Sequence, residues 1–384
     1  MKTFLKAVGI IAVFSLCLLL LLYLKGEKST GRIVTKTIFI EDAADWKKCQ
    51  LYKCFIDQNT NTVQLNDFSS LVTFPITPGF EFDKLVISWN AHQHAQLPYL
   101  FIELEVSSDL INWHRFSYLS WGKKDSVAIS LIYGYSDKAP LKIENVGFVD
   151  DDVLKLDKGM RYARAIVQIV NNTSISETPI DGAFELRRLA FSFSTRSATN
   201  EEFRNFSPKR EKIKIDHTAL AVPYLTQRSL PKPISGECCS PTAVAMVLNY
   251  HGINIDHETF AHQVYDPYNA MFGNWPYNVQ AAYVAGLSKT WVDQHTSFDE
   301  LYDEIKSGKP VVISISYGYD ELPNSPIHEA PGHLVTVVGF WGPDTIICND
   351  PSGHDPNDGI CKFPRYELEK AWLGHGGVAY HLWP

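Results

Sequence analysis

The sequence predicts an α+β domain toward the C-terminus, an all-β sandwich ahead of it, and a membrane helix at the N-terminus. Three observations predict this. Residues 33–197 carry short alternating runs rich in β-branched and aromatic side chains. Residues 218–384 carry helical patterns first and strand patterns after them, and an uncharged apolar run lies between Lys6 and Lys25. The chain has 384 residues, 45% hydrophobic and 20% charged, an ordinary globular balance with room for two domains. The formal net charge is −8 and no Lys/Arg stripe lines a helical pattern, which argues against a nucleic-acid partner.

At the N-terminus, Lys2 and Lys6 precede the run Ala7–Leu24. As a helix rising about 1.5 Å per residue it would extend roughly 27 Å, close to the hydrocarbon thickness of a bilayer. Its length, its LLLLLYLKG ending and the lack of a following small-x-small site favour an uncleaved anchor over a removed signal peptide. Leu16 before Cys17 argues against lipid modification of that cysteine. The expected location is a membrane-anchored ectodomain, periplasmic or at the cell surface. Cleavage of residues 1–30 would make the protein secreted instead.

Between residues 31 and 199, IVTKTIFI, FDKLVISWN, LFIELEVS, SVAISLIYG, YARAIVQIV and FELRRLAFSFS read as strands. TPG, SSD, YSDKAP and Ile180-Asp181-Gly182 break them as turns, the signature of an antiparallel sandwich. The polar stretch 200–217 reads as a linker. From 218 to 384, PTAVAMVLNYHG, HETFAHQVYD, PYNVQAAYVAGL and SFDELYDEIKSGK are helical, while VVISISYGY, HLVTVVGFW, DTIICND and GVAYHLW are strands. This order predicts helices on one face of an antiparallel sheet.

The chemistry concentrates in the second region. Cys239 lies just before Pro241, a residue favoured in the first turn of a helix that Gly252 ends. A thiol there sits at the positive end of the helix dipole, where a thiolate is stabilised. Cys238, one residue earlier, is the competitor. A cysteine nucleophile needs a base and a group that orients the base. Gly332-His333 opens HLVTVVGFW, Gly342-Pro343-Asp344 reverses the chain, and TIICNDP runs back to Asp350. In such a hairpin His333 and Asp350 meet at one edge. His251 falls at the far end of the cysteine helix, and His354 lies in a loop beyond the Asp. An oxyanion formed by attack needs donors. Gln227 precedes Cys239 in a loop able to fold back over the helix start, and its amide with the Cys239 N–H would supply them.

The run VPYLTQ…CSPTAVAMVLNYHG, then GHLVTVVGF, then NDPSG, resembles the bacteriocin-processing (double-glycine-leader) cysteine peptidase family in its stand-alone form. The likeness extends from about Val222 to the C-terminus and includes SGKPVVISIS and AWLGHGGVAYHLW. It implies a papain-like fold, with Cys239 as nucleophile, His333 and Asp350 as partners and Gln227 as oxyanion donor. Two departures stand out. Ser240 replaces the glycine that follows the nucleophile in many relatives, and the sequence has no P-loop like that of the exporter-fused members. Cleavage of a double-glycine leader is therefore not expected.

The reading that follows is a cysteine peptidase-like hydrolase acting on a peptide or protein, cell-wall peptide included, through a thioester. Its rivals are a catalytically silent binding protein of the same fold, and an acyl or amide transferase using the same thioester. No cofactor is expected. His92 and His94 share a strand face, but without a visible third ligand no metal centre is expected. Trp89, Trp113 and Trp121 offer a weak case for a glycan-binding face and a better one for sandwich core. The Asn171 and Asn172 sequons matter only in a glycosylating host. Among seven cysteines, Cys49 with Cys54 and Cys348 with Cys361 are candidate disulfide pairs.

Overall fold

Alternation of buried and exposed side chains gives way, in the middle of this protein, to strands and helices buried nearly throughout, and that change marks where its two regions meet. The structure is a computed structural model that describes residues 34–94, 99–122, 139–170, 183–195 and 217–384. The proposed anchor Ala7–Leu24, Cys17, the strand SVAISLIYG, the sequons, Ile180-Asp181-Gly182 and most of the 200–217 stretch lie outside the described residues. Among the described residues, no helix is long and apolar enough to cross a membrane.

The first region comprises Thr35–Ile40 (β1), the one-turn helix Ala43–Trp46 (α1), Gln50–Asp57 (β2), Thr62–Val72 (β3), Phe82–Gln93 (β4), Tyr99–Ser107 (β5) and His114–Trp121 (β6). Lys142–Ile143 (β7), Gly147–Asp150 (β8), Val153–Met160 (β9), Tyr162–Val170 (β10) and Phe184–Ser194 (β11) complete it. All pair antiparallel, in the order β6-β5-β10-β3-β11-β4-β9-β8-β7, with β1 on β11 and β2 on β3. On the side away from β2, β3 is shared. Its N-terminal half pairs with β11 (Leu65 opposite Phe184) and its C-terminal half with β10 (Leu71 opposite Val167). The two sets of strands that diverge from β3 enclose a single core holding Trp46, Ile87, Leu104, Phe116, Phe184 and Phe191.

The second region begins with Thr218–Ala219 (β12) and continues through Cys239–Tyr250 (α2), His257–Val264 (α3), Trp275–Ala285 (α4), Lys289–Gln294 (β13) and Asp299–Lys306 (α5). Val311–Tyr317 (β14), Ala330–Phe340 (β15), Thr345–Asn349 (β16), Pro356–Gly359 (α6), Ile360–Pro364 (β17), Arg365–Leu373 (α7) and Val378–Trp383 (β18) follow. The antiparallel sheet runs β13-β18-β14-β15-β16-β17, with β12 on β15. The expectation of helices on one face only is corrected here. α2, α3 and α4 bury Val244, Phe260 and Val279 against Val312, Leu334 and Tyr380, while α5 and α7 bury Leu301 and Trp372 against the opposite face through Val311, Ile313 and Val335. The physical reason is legible in VVISIS and LVTVV, which are apolar on both faces of the pleat.

Val34–Pro384 form one compact unit, and its two regions share buried contacts. The Gln280 amide on α4 pairs with the backbone of Ala91 on β4, accepting from its N–H at 3.0 Å and donating to its carbonyl at 2.6 Å. The Asn90 amide donates to the carbonyl and hydroxyl of Thr290, and the Val292 N–H donates to Ser88 Oγ. The Tyr277 ring enters the core of the first region, and its hydroxyl bonds the Ser120 carbonyl. At the N-terminus of α4 the Trp275 N–H donates to Asp152 at 2.5 Å, yet burial pushes that carboxyl up to about 8.

Candidate active site

The sequence CCSPTAVAMVLNYHG makes its helix begin at Cys239, with Cys238 as the flanking residue and no side chain capping the end. The two thiols part company in their surroundings. Cys238 is fully buried among Leu230, Ala261 and Phe272, and burial pushes its thiol up to about 12. Cys239 is partly exposed at the start of the helix. A buried small hydrophobe and an accessible thiol thus sit side by side, and only the second can meet a substrate.

His333 lies inside β15, which starts at Ala330, rather than at the strand's first residue. β16 runs antiparallel to it, with Asn349 opposite Thr336, so the residue after β16 comes back to His333. The imidazole Nε2 stands 2.7 Å from Asp350 Oδ1, both side chains buried. The Cys239 thiol also acts on the His333 ring. With Nε2 committed to Asp350, Nδ1 is the ring nitrogen left for the thiol. Burial alone would favour neutral imidazole, but the charge and hydrogen bond of Asp350, helped by Cys239, push His333 up to about 10. Burial would likewise raise Asp350, and the His333 cation together with Ser352 overcomes it and holds the carboxyl low.

Two residues that sequence reasoning missed fix the acid. The Ser352 N–H and hydroxyl both donate to Asp350 Oδ1, at 2.9 and 2.6 Å. This is an Asx-type turn, and the Asp-Pro-Ser spacing was its signal. Tyr224 donates its hydroxyl to the Asp350 carbonyl at 2.9 Å. A Cβ on Gly359 would lie 2.0 Å from that hydroxyl oxygen, so glycine there makes room for the tyrosine.

Gln227 opens a short 3₁₀ turn and is buried. Its N–H bonds the Pro351 carbonyl at 2.9 Å, which ties its loop to the segment after Asp350. One amide hydrogen goes to the Ser235 carbonyl at 3.0 Å, so one remains. The other histidines considered lie elsewhere: His251 caps the far end of α2, and His354 pairs with Asp358 at the surface. The six described cysteines are free thiols, so neither candidate disulfide is formed, although Cys348 and Cys361 stand opposite each other in β16 and β17.

Residues 219–380 match the model of the Peptidase_C39 like family. This segment is a C39-like peptidase-family domain. Among curated proteins the chain is similar to the uncharacterized protein YvpB of Bacillus subtilis (strain 168), 25% identical over 225 residues, half of this chain and 84% of that protein. Among solved structures it is similar to a C39-like peptidase from Bacillus anthracis, with 23% identity and a TM-score of 0.34, covering 43% of this chain and 96% of the other. A double-glycine-motif protease of an AMS/PCAT transporter, solved with its leader peptide, gives 18% identity and a TM-score of 0.30 over 44% of this chain and 97% of that one. The C39-like match thus covers residues 219–380, behind a β-rich region.

Outside the C39-like domain the weaker sequence signals separate. His92 packs against the Tyr283 ring at 4.7 Å, and His94 lies 3.9 Å from the Glu185 carboxylate. Trp89 is fully buried in the core, and Trp113 lies beneath the Arg164 guanidinium at 4.3 Å. The three tryptophans therefore do not make one exposed aromatic face.

Proposed function

We propose that this chain is a cysteine hydrolase that cleaves a peptide or isopeptide bond through a thioester, with Cys239 as nucleophile. The observation that carries the reading is the position of His333, its imidazole 2.7 Å from a buried Asp350 and its charge favoured by the Cys239 thiol as well. The Cys239 thiolate attacks the carbonyl carbon, and the Gln227 amide with the Cys239 N–H receives the resulting oxyanion. Protonated His333 gives its proton to the leaving nitrogen as the C–N bond breaks. It then takes one from water, whose oxygen attacks the thioester and frees Cys239. Asp350 holds the ring and its charge. A cavity of about 580 Å³ opens beside the start of β15, lined by Tyr317, Glu321, Pro331, Lys370 and His375 and not by Cys239, His333 or Gln227.

We divide the chain into an N-terminal anchor or signal (1–30), a β-sandwich (31–199), a linker (200–217) and the C39-like domain (218–384). The apolar run Ala7–Leu24 supports an envelope-facing enzyme held at a membrane. The test is labelling of the full chain in membranes of its own cell with a thiol-reactive peptide probe, compared with Cys239→Ala. Probe attached to Cys239, and substrate trapped by the variant, support the reading. Equal labelling of both proteins sinks it.

A further inference from the structure

We propose that Asp293, His295 and His381 form a binding site for one divalent transition-metal ion of the zinc class, separate from the cysteine centre. Trp291, Asp293 and His295 alternate onto one face of β13 and its continuation, and β18 places His381 opposite Trp291 on that face. One ligand atom from each of the three lies within 4.8 Å of the others. The two Nε2 atoms are 2.8 Å apart, and His381 Nε2 is 3.8 Å from Asp293 Oδ2. Two ligands of a tetrahedral zinc, each about 2.0–2.1 Å from it, lie roughly 3.3 Å apart. One contact is therefore about half an ångström short and the other about half an ångström long, differences that small ring and carboxylate rotations remove.

The surroundings are what a metal-bound histidine pair requires. His295 Nδ1 faces Glu300 at 3.1 Å, and His381 Nδ1 faces Glu304 at 2.8 Å. Carboxylates accept, so each Nδ1 carries the hydrogen and each Nε2 turns its lone pair toward the other. Two lone pairs at 2.8 Å repel unless a cation, a metal ion or a shared proton, lies between them. Glutamates behind both rings fix tautomer and orientation in the pattern typical of histidine-bound metals. Asp293 is fixed as well: its Oδ1 accepts from Thr37 Oγ1 and the Gln294 N–H, and its Oδ2 from Trp291 Nε1. Trp291 also stacks on His381 at 4.5 Å, and Glu304 accepts from Trp383. Three carboxylates around two imidazoles favour a dication over a neutral occupant. The rings are buried, while Asp293 keeps a solvent-facing edge through which an ion can enter. A Cβ on Gly377 would lie 2.0 Å from the His295 carbonyl, so glycine lets β18 close on this residue. Nitrogen and oxygen donors with no sulfur suit zinc, cobalt or nickel. Bound there, the ion would clamp β13, β18 and, through Thr37, the first region.

The experiment uses the full chain, stripped with chelator and titrated with Co²⁺ and Zn²⁺. The expected result is about one ion per chain, with weak visible cobalt bands and no strong near-ultraviolet thiolate band. Glu304→Gln should weaken binding by about 10–100-fold. Asp293→Asn should weaken it too and remove the rise in Tm that Zn²⁺ gives the wild type. Cys239→Ala should change neither. His381→Ala should abolish binding, and if it does not fold, the Asp293 and Glu304 variants carry the test. A thiolate band on the bound cobalt, binding indifferent to both carboxylate variants, or no binding at about 100 µM metal overturns the proposal in favour of other ligands or a shared proton.

Discussion

Replacing Asp350 by Asn separates the charge of this residue from its shape. Asp350 Oδ1 accepts from His333, from the Ser352 N–H and from the Ser352 hydroxyl. An Asn amide oxygen in that place keeps all three as an acceptor, so the ring stays oriented. The charge on the acceptor is lost. A hydrogen bond to a charged group contributes about 1.5–3 kcal/mol and a neutral one about 0.5–1.5, so the imidazolium loses about 1–2 kcal/mol, roughly 5–30-fold in rate. Asp350→Ala instead leaves a buried imidazolium unpaired, which costs about 3–5 kcal/mol, or about 10²–10³-fold and more. The assay is the second-order rate of labelling by a thiol-directed probe across pH. In the wild type His333, raised to about 10, keeps its proton to high pH, and both substitutions should bring the alkaline limb down to lower pH. The same shift has a stability sign: the contribution of His333 is whole below its ordinary value near 6.5 and is lost as pH rises through about 10. An Asp350→Asn protein as inert as Cys239→Ala, or one whose alkaline limb has not moved, would refute the assignment.

Four further outcomes can be checked. Cys239→Ala and His333→Ala should abolish probe labelling, whereas Cys238→Ser, at a thiol buried away from solvent, should keep it; mass spectrometry of the labelled peptide reads this directly. Gln227→Ala should lower turnover by about 10²–10³-fold, the loss usual for one oxyanion donor, with the Tm as control. Gln280→Ala strands the buried N–H and carbonyl of Ala91 at about 1–3 kcal/mol each, so urea unfolding should show roughly 2–6 kcal/mol of lost stability. Asp152, raised to about 8, binds its proton more tightly folded than unfolded. Its contribution to stability therefore falls as pH rises from about 4 to about 8, and Asp152→Asn should flatten that slope in a Tm-against-pH series.

Local punctuation made the cysteine helix legible: a small residue and Pro241 after Cys239, then Gly252 after the last apolar position. Hairpin logic brought His333 to Asp350 because strand, tight turn and strand lie within one short stretch of chain. What stayed hidden depends on tertiary context. β3 reads poorly, since TVQLNDFSSLV breaks its alternation where it exchanges β11 for β10. α7 was not read as a helix, because Arg365 and Glu369, polar by type, are buried on it as an ion pair. Tyr224 had no signal of its own, since its role depends on a backbone carbonyl far along the chain. The Asp293, His295 and His381 cluster left only the Asp-x-His spacing, and its third member comes from a strand that pairing alone brings near.

The two regions meet at an element that also supports the helix beginning at Cys239. α4 is buried on nearly every side from Pro276 to Tyr283, so it shows no polar stripe. Val279 and Ala282 pack in one core with Val244 and Val247 of α2, while Gln280 and Tyr277 reach the first region. A helix held this way has no solvent face along which to slide. Its polar side chains act as fixed points: Gln280 takes the place of a neighbouring strand for Ala91, and Asn278 bonds the Phe272 and Asn274 carbonyls. Through this close-packed core α4 joins β4 to α2, whose first residue is Cys239. The β-rich region therefore packs, through α4, against the helix that begins at Cys239.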